Sequence, residues 1–394
     1  MMGDPWLSIV GMPHDTAAQL PPASRAAIDA AEVIFGGPRH LDLVNAGDRG
    51  RPWPVPFTVD PVLAAKGRQV VVLASGDPFW FGAGGSLSAQ LDPGDWRVLP
   101  APSTFSWVAG ALGWRLEDVT CHGLHAAPLA QLRAVLAPKA RFICLLRDGA
   151  APAELAHWLT AEGAGQARLF VCERMGGTDQ RVRETTAQGF DLSDVAAPAA
   201  VAVALPAGVG LPRSSGLPDD LFAHDGQITK RPVRALTLSA LAPRPGEVLW
   251  DIGAGSGSIS VEWCLTGGRA VAFEQHAARA DNITRNAEQF GLAHRLTVHH
   301  GDAHALIADR PAPDAVFVGG GGSDALFEAL FDTLPKGTRL VANGVTLETE
   351  ARLARLHGEK GGSLLRVELA EAAPLGRLRG WHAARPVVQW SVVL

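Results

Sequence analysis

Tyrosine is absent from this 394-residue chain, and lysine occurs only five times. Cysteine is also scarce: Cys121, Cys144, Cys172 and Cys264 are scattered, with no C-x-x-C pair and no zinc-type spacing. That pattern argues against a zinc module, and no metal site is expected. Cys144 and Cys172 lie inside apolar strand-like runs and read as reduced core residues. No run reaches the apolar length of a membrane span, so no membrane partner is expected. Met1–Val10 lacks a basic segment followed by a long apolar one, so the expectation is no signal peptide and a cytoplasmic protein. The net charge of −5 disfavours nucleic acid as a partner. Hydrophobic residues make up 47% and charged residues 19%, a balance that suits packed α/β domains rather than disorder.

The chain is too long for one compact core, so two domains are expected. Residues 206–226 are rich in Pro, Gly, Ser and Asp and read as a connection between domains 1–205 and 227–394. In the second half, strands expected near 247–251, 269–274, 295–299, 314–318, 338–343, 363–369 and 387–393 alternate with helical stretches. The pattern predicts a mostly parallel seven-stranded sheet with helices on both faces, its last two strands adding an antiparallel edge. The first half predicts strands at Trp6–Val10, Gln69–Ala74, Arg97–Leu99, Arg141–Leu145, Ala167–Glu173 and Ala199–Ala204, arranged as two α/β lobes.

The sharpest local signal runs from Glu247 to Ser258. An apolar strand meets Asp251, then Gly253, Gly255 and Gly257, then a helix-compatible run. Glycines there let backbone approach a ligand, and the following helix offers free N–H groups. A dinucleotide fingerprint would want glycine at 258, where Ser258 stands. The Asp251 and G-x-G-x-G rhythm instead resembles the adenosylmethionine loop of Rossmann-like methyltransferases. Glu274 closes the next strand about twenty residues on, where such folds place the carboxylate that accepts ribose hydroxyls. Asp302, after the strand Leu296–Val298, is placed to meet the adenine edge.

In the first half, Ser75-Gly76-Asp77-Pro78 at a strand's carboxyl end exposes backbone groups where α/β sheets bind ligands. With Gly82, Ala101-Pro102-Ser103-Thr104, Gly113-Trp114 and Glu173–Gln180, it resembles the tetrapyrrole (corrin and sirohaem) methylases, over nearly all of residues 5–205. That resemblance implies a two-lobed fold holding adenosylmethionine at the Gly-Asp-Pro turn and the Ser103-Thr104 loop. Family members commonly open with a Gly-x-Gly-Pro-Gly turn; here the segment is Gly11-Met12-Pro13-His14-Asp15, with one early glycine only.

Ile228–Leu236, the loop Trp250–Gly257 and Phe317–Gly321 together resemble the decarboxylating methyltransferase domain of cobalamin biosynthesis. The two domain types in this order imply a bifunctional C-methyltransferase with one adenosylmethionine per domain and a tetrapyrrole substrate. The N-terminal domain would methylate carbon 5; the C-terminal domain would methylate carbon 15 and remove the ring C acetate carboxyl. Both resembled families commonly self-associate, so a homo-oligomer is expected. An RNA or other small-molecule methyltransferase with a non-catalytic N-terminal binding lobe is the alternative; the acidic charge and the missing Asn/Asp-Pro-Pro-Tyr/Phe motif count against RNA. A non-enzymatic sensor is a third reading, which two cofactor-like loops disfavour.

A substrate rich in carboxylates calls for cations, and Lys230, Arg231, Arg234 and Arg244 fall in a window, 226–246, that holds no acid. Lys230 and Arg231, with Gly319 and Gly320 for backbone approach, are the candidate substrate contacts. Residues 351–394 add seven Lys/Arg against three Asp/Glu, which read first as a solvated face. A carbanion left by decarboxylation needs a proton, and the histidines His294, His300 and His304 are the candidates to carry it.

Overall fold

The computed structural model describes residues 5–308 and 310–394. The chain divides into two compact units: the described residues up to Leu129 with Val135–Val209, and Ala130–Ala134 with Gly210–Leu394.

The first unit holds two sheets. Strands β1 (Leu7–Met12), β2 (Val33–Gly36), β3 (Gly50–Pro52), β4 (Val70–Ser75) and β5 (Trp96–Leu99) form an all-parallel sheet in the order β3-β2-β4-β1-β5. Every residue of β1 is buried, as a parallel strand covered on both faces requires. Leu7 and Ile9 enter one core cluster while Val10 and Met12 enter another. Strands β6 (Thr120–Gly123), β7 (Arg141–Leu145), β8 (Arg168–Glu173), β9 (Arg181–Thr186) and β10 (Ala199–Ala204) form the second sheet, ordered β6-β7-β10-β8-β9. Only β6 and β7 run parallel there. Cys144 and Cys172 are buried within it. Strands β2, β3, β6 and β9 had no counterpart among the strands expected from sequence.

The second unit carries β11 (Val248–Ile252), β12 (Arg269–Glu274), β13 (Leu296–His300), β14 (Ala315–Val318), β15 (Arg339–Gly344), β16 (Ser363–Val367), an outlying hairpin of β17 (Ala370–Leu375) and β18 (Leu378–Ala383), and β19 (Val387–Val393). Its seven-stranded sheet runs β13-β12-β11-β14-β15-β19-β16. The first five strands are parallel, and β19 lies antiparallel between β15 and β16. The antiparallel strand is therefore one place in from the edge, because the chain returns through the hairpin before it pairs. Leu375, Leu378 and Trp381 on that hairpin are exposed.

Residues Leu217 and Phe222, from the stretch expected to connect the domains, are buried in the core of the second unit. The helix Arg231–Leu241 follows, with Pro232 in its first turn, where no N–H is needed. Among the described residues no helix is long and apolar enough to cross a membrane.

Candidate functional site

From β11 the chain moves outward to β12 and β13, then returns to place β14 on the other side of β11. Ligands bind at such a switch point, beyond the carboxyl ends of the strands. The glycine loops after β11 and after β14 meet there. Gly253 has φ 65°, and a Cβ on it would lie 2.7 Å from the backbone nitrogen and carbon of Gly320. Gly257 serves helix packing instead: its Cβ would lie 2.7 Å from Cγ2 of Ile283.

A cavity of about 900 Å³ opens at this point. Its wall includes Gly253, Ala254, Gly255, Glu274, Asp302, Gly319 and Gly320. Glu274 is buried; its Oε2 accepts from Gly255 N–H at 2.8 Å and its Oε1 from His276 N–H at 3.0 Å. Each carboxylate oxygen keeps a lone pair for a further donor. Asp302 caps the turn Ala303–Leu306, accepting from His304 N–H at 3.2 Å. The acids and the glycine loop therefore share one wall.

Asp251 does not reach that wall. It is fully buried, and its Oδ2 accepts from the backbone N–H and the hydroxyl of Ser260 at 3.2 and 2.6 Å. Oδ1 is buried without a hydrogen-bond partner. Burial pushes the carboxyl up to about 6, against the Ser260 bonds that favour its charge. Its place is to tie the strand end to the helix Ser258–Leu265 rather than to touch a ligand.

The cations separate in the same way. Lys230 lines the cavity and Arg231 does not. Arg234 is wholly buried, pairs with Glu262 at 2.6 Å and Asp219 at 3.0 Å, and lies over the Phe222 ring. It fastens the segment before its helix, which a charge count along the sequence does not reveal. Arg244 lies outside the wall, within 3.7 Å of Glu247. Of the candidate histidines only His304 lines the cavity; the His300 ring meets the Gln275 carbonyl at 3.1 Å and His294 lies outside the wall. Residues not singled out from sequence also line it, among them His276, Arg279, Asn343 and Arg385. Among the described residues no group of three His, Cys, Asp or Glu is arranged to hold a metal ion.

In the first unit the same construction recurs at the carboxyl edge of the parallel sheet. A Cβ on Gly11 would overlap the Gly76 carbonyl, and one on Gly76 would lie 2.9 Å from Ser103 Cα. The ends of β1 and β4 and the loop after β5 thus stack backbone on backbone, and the single early glycine is the one this approach requires. Asp77 folds back to accept from Phe79 N–H at 2.8 Å, holding the turn. Ser103 caps the helix Thr104–Leu112 through Ser106 N–H at 3.1 Å, which leaves Thr104 in its first turn. Ser75 meets buried His40 at 3.2 Å, whose imidazole is lowered to about 4 by burial and by the Arg39 guanidinium. Asp15, in the loop after β1, accepts from the N–H and hydroxyl of Thr178 at 2.6 and 2.9 Å, linking the two lobes of this unit.

Two family models match the chain: tetrapyrrole (corrin/porphyrin) methylases over residues 7–191 and the precorrin methyltransferase domain over residues 220–394. A precorrin-6Y C(5,15)-methyltransferase [decarboxylating] of a Sinorhizobium species is 47% identical across 98% of this chain and 96% of its own length. A probable cobalt-precorrin-6B C(15)-methyltransferase (decarboxylating) of Pyrobaculum calidifontis is 37% identical over 44% of this chain and 92% of its own length. The crystal structure of the C-terminal domain of precorrin-6Y C5,15-methyltransferase from Rhodobacter capsulatus is 57% identical, covering 47% of this chain and all of that one, with a TM-score of 0.46.

Proposed function

The chain belongs to the decarboxylating precorrin-6Y C(5,15)-methyltransferases, and from that premise we propose that its two units are two separate methyltransferases with one adenosylmethionine each. The first would act at carbon 5. The second would act at carbon 15 and on the ring C acetate. The relative that matches 44% of the chain is named for carbon 15 chemistry with decarboxylation, which supports assigning those steps to a single unit.

The observation that carries the reading is the shared wall of the second unit's cavity, where a glycine loop at a switch point stands beside Glu274 and Asp302. Glu274 would receive ribose hydroxyls on its remaining lone pairs, and Asp302 the adenine edge. Bound adenosylmethionine would supply an electrophilic methyl on a sulfonium. The chain's own work is then to align that methyl with a nucleophilic ring carbon and to keep water out. Ile252, Phe317, Leu326, Val345 and Val387 give the cavity the apolar surface this needs. In the first unit, the stacked loops at Gly11, Gly76 and Ser103 support the matching site.

Calorimetric titration of the full chain with adenosylmethionine tests the reading. Two sites are expected, and product mass spectrometry on the precorrin should show two methyl additions and one carboxyl loss. A single site would remove the two-centre proposal. Self-association belongs to the same proposal, and light scattering measures it.

A further inference from the structure

Behind the cavity of the second unit lies a buried polar network that the reading above leaves unused. Ile252 of β11 stands opposite Val318 of β14, which stands opposite Ala342 of β15. The next row, just past the ends of β11 and β14 and still within β15, is Gly253, Gly319 and Asn343. Two of these have no side chain, so Asn343 is the first group in that row with any reach, and it lines the cavity.

Its carboxamide is held on two sides. Asn343 Nδ2 donates to Thr237 Oγ1 at 2.8 Å, and Gln389 Nε2 donates to Asn343 Oδ1 and to Thr237 Oγ1, both at 3.0 Å. Thr237 gives its own proton to the Val233 carbonyl at 2.9 Å, so it must accept from both amides, which fixes Asn343 Nδ2 as a donor. Thr237 is 0% and Gln389 5% exposed. The helix Arg231–Leu241, β15 and β19 therefore cooperate to orient one amide. One N–H of Nδ2 and one lone pair of Oδ1 remain for a ligand.

We propose that this free N–H binds the carboxylate of the acetate arm that the reaction removes. The inference rests on the second unit being the decarboxylating one. In that step the C–C bond to the carboxylate breaks, its electron pair passes into the conjugated ring, carbon dioxide leaves, and the remaining methylene takes a proton from solvent admitted once the carbon dioxide has gone. A neutral donor suits a group about to lose its charge. An arginine or lysine there would stabilise the carboxylate more than the transition state and so slow the step. A single rigid N–H still sets the arm's direction, and the breaking bond must stand across the ring plane for its electrons to enter the π system. Lys230 and Arg385, on the same cavity, are left for carboxylates that stay.

The test compares N343A and N343D in the full chain with the precorrin as substrate. Removing one hydrogen bond to a charged group should lower carbon 15 methylation and carboxyl loss by about tenfold or more. Carbon 5 methylation and adenosylmethionine affinity should stay as in the parent. N343D should be slower than N343A above neutral pH, because it sets a carboxylate against the arm while remaining close in shape. T237V, which loosens Asn343 without deleting it, should fall between the parent and N343A. Parent-like turnover in N343A overturns the inference, as does N343D matching or exceeding N343A. A parallel fall in adenosylmethionine affinity and melting temperature would assign Asn343 a structural role and also overturn it. Failure of the unmodified chain to form a decarboxylated product would instead sink the reading beneath it.

Discussion

Gly253 and Gly320 meet backbone to backbone across the switch point, so close that a Cβ on Gly253 would lie 2.7 Å from two Gly320 main-chain atoms. Both loops line the cavity, so their contact sets the shape of its floor. Gly253→Ala adds a left-handed penalty of about 1–2 kcal/mol to an overlap that only backbone movement relieves. The expected result is a lower melting temperature for the second unit and loss of one adenosylmethionine site of two. A variant that melts and titrates like the parent would show that the loops give way freely.

Glu274 holds two backbone N–H groups with its two carboxylate oxygens. Glu274→Gln must turn an NH2 toward one of those donors or forfeit a bond, and it also loses acceptor capacity for a hydroxyl pair. An adenosylmethionine affinity at least about tenfold lower at one site is expected, with carbon 5 methylation retained. Equal loss at both sites would mean the two centres are not independent.

The raised Asp251 carboxyl makes a pH prediction with a definite sign. Its folded value is about 6 and its ordinary value 3.8. Below about pH 4 it is protonated in both states; above about 6 the folded protein carries a buried charge the unfolded chain does not bury. Its contribution to stability therefore falls as pH rises between those limits, by about 3 kcal/mol at most. Asp251→Asn removes this loss, so the stability of the variant relative to the parent should climb from pH 4 to 6. Denaturant melts across that range measure it, and a flat difference would refute the assignment.

The parallel strands of the second unit were legible because buried strands read as apolar runs, and the loop at Gly253 because glycine spacing is local. Strand β9, Arg181–Thr186, was not. It has no apolar run; Arg181 and Arg183 hold it to buried Glu173, and both also reach Asp194. The partners lie only 8 to 13 residues away, but a strand held by ion pairs carries no apolar alternation to mark it. Asp251 and Arg231 were legible as motif members, yet only the fold shows that neither faces the cavity. Asn343 carried no local signal, since its partners Thr237 and Gln389 are 106 residues before it and 46 after it.

Gly11 permits a corresponding test of the first unit. A methyl there would overlap the Gly76 carbonyl and lie 2.4 Å from the Ala101 backbone nitrogen in the loop after β5, so only main-chain movement could relieve it. Gly11→Ala should therefore part the three stacked loops and abolish carbon 5 methylation, while carbon 15 methylation and carboxyl loss persist on a substrate supplied with the first methyl. Persistence of carbon 5 methylation at the parent rate would place that chemistry elsewhere.

Arg234 is the sequence-visible cation whose role is most changed by the fold, and its prediction is one of stability. Its guanidinium answers Glu262, whose carboxylate also accepts from Gly216 and Leu217 N–H at 2.7 and 2.9 Å. Arg234→Met leaves that carboxylate buried without its cation, a change that typically costs about 3–5 kcal/mol. Adding Glu262→Gln removes the stranded charge and should recover part of the loss, because the amide oxygen can still accept from one of the two backbone donors, which now sit on separate carboxylate oxygens. Denaturant unfolding of the single and double variants reads the difference. If the double variant is no more stable than Arg234→Met alone, the pair does not act through charge, and the loss belongs to Arg234's contacts with the Thr229 and Leu217 carbonyls and the Phe222 ring.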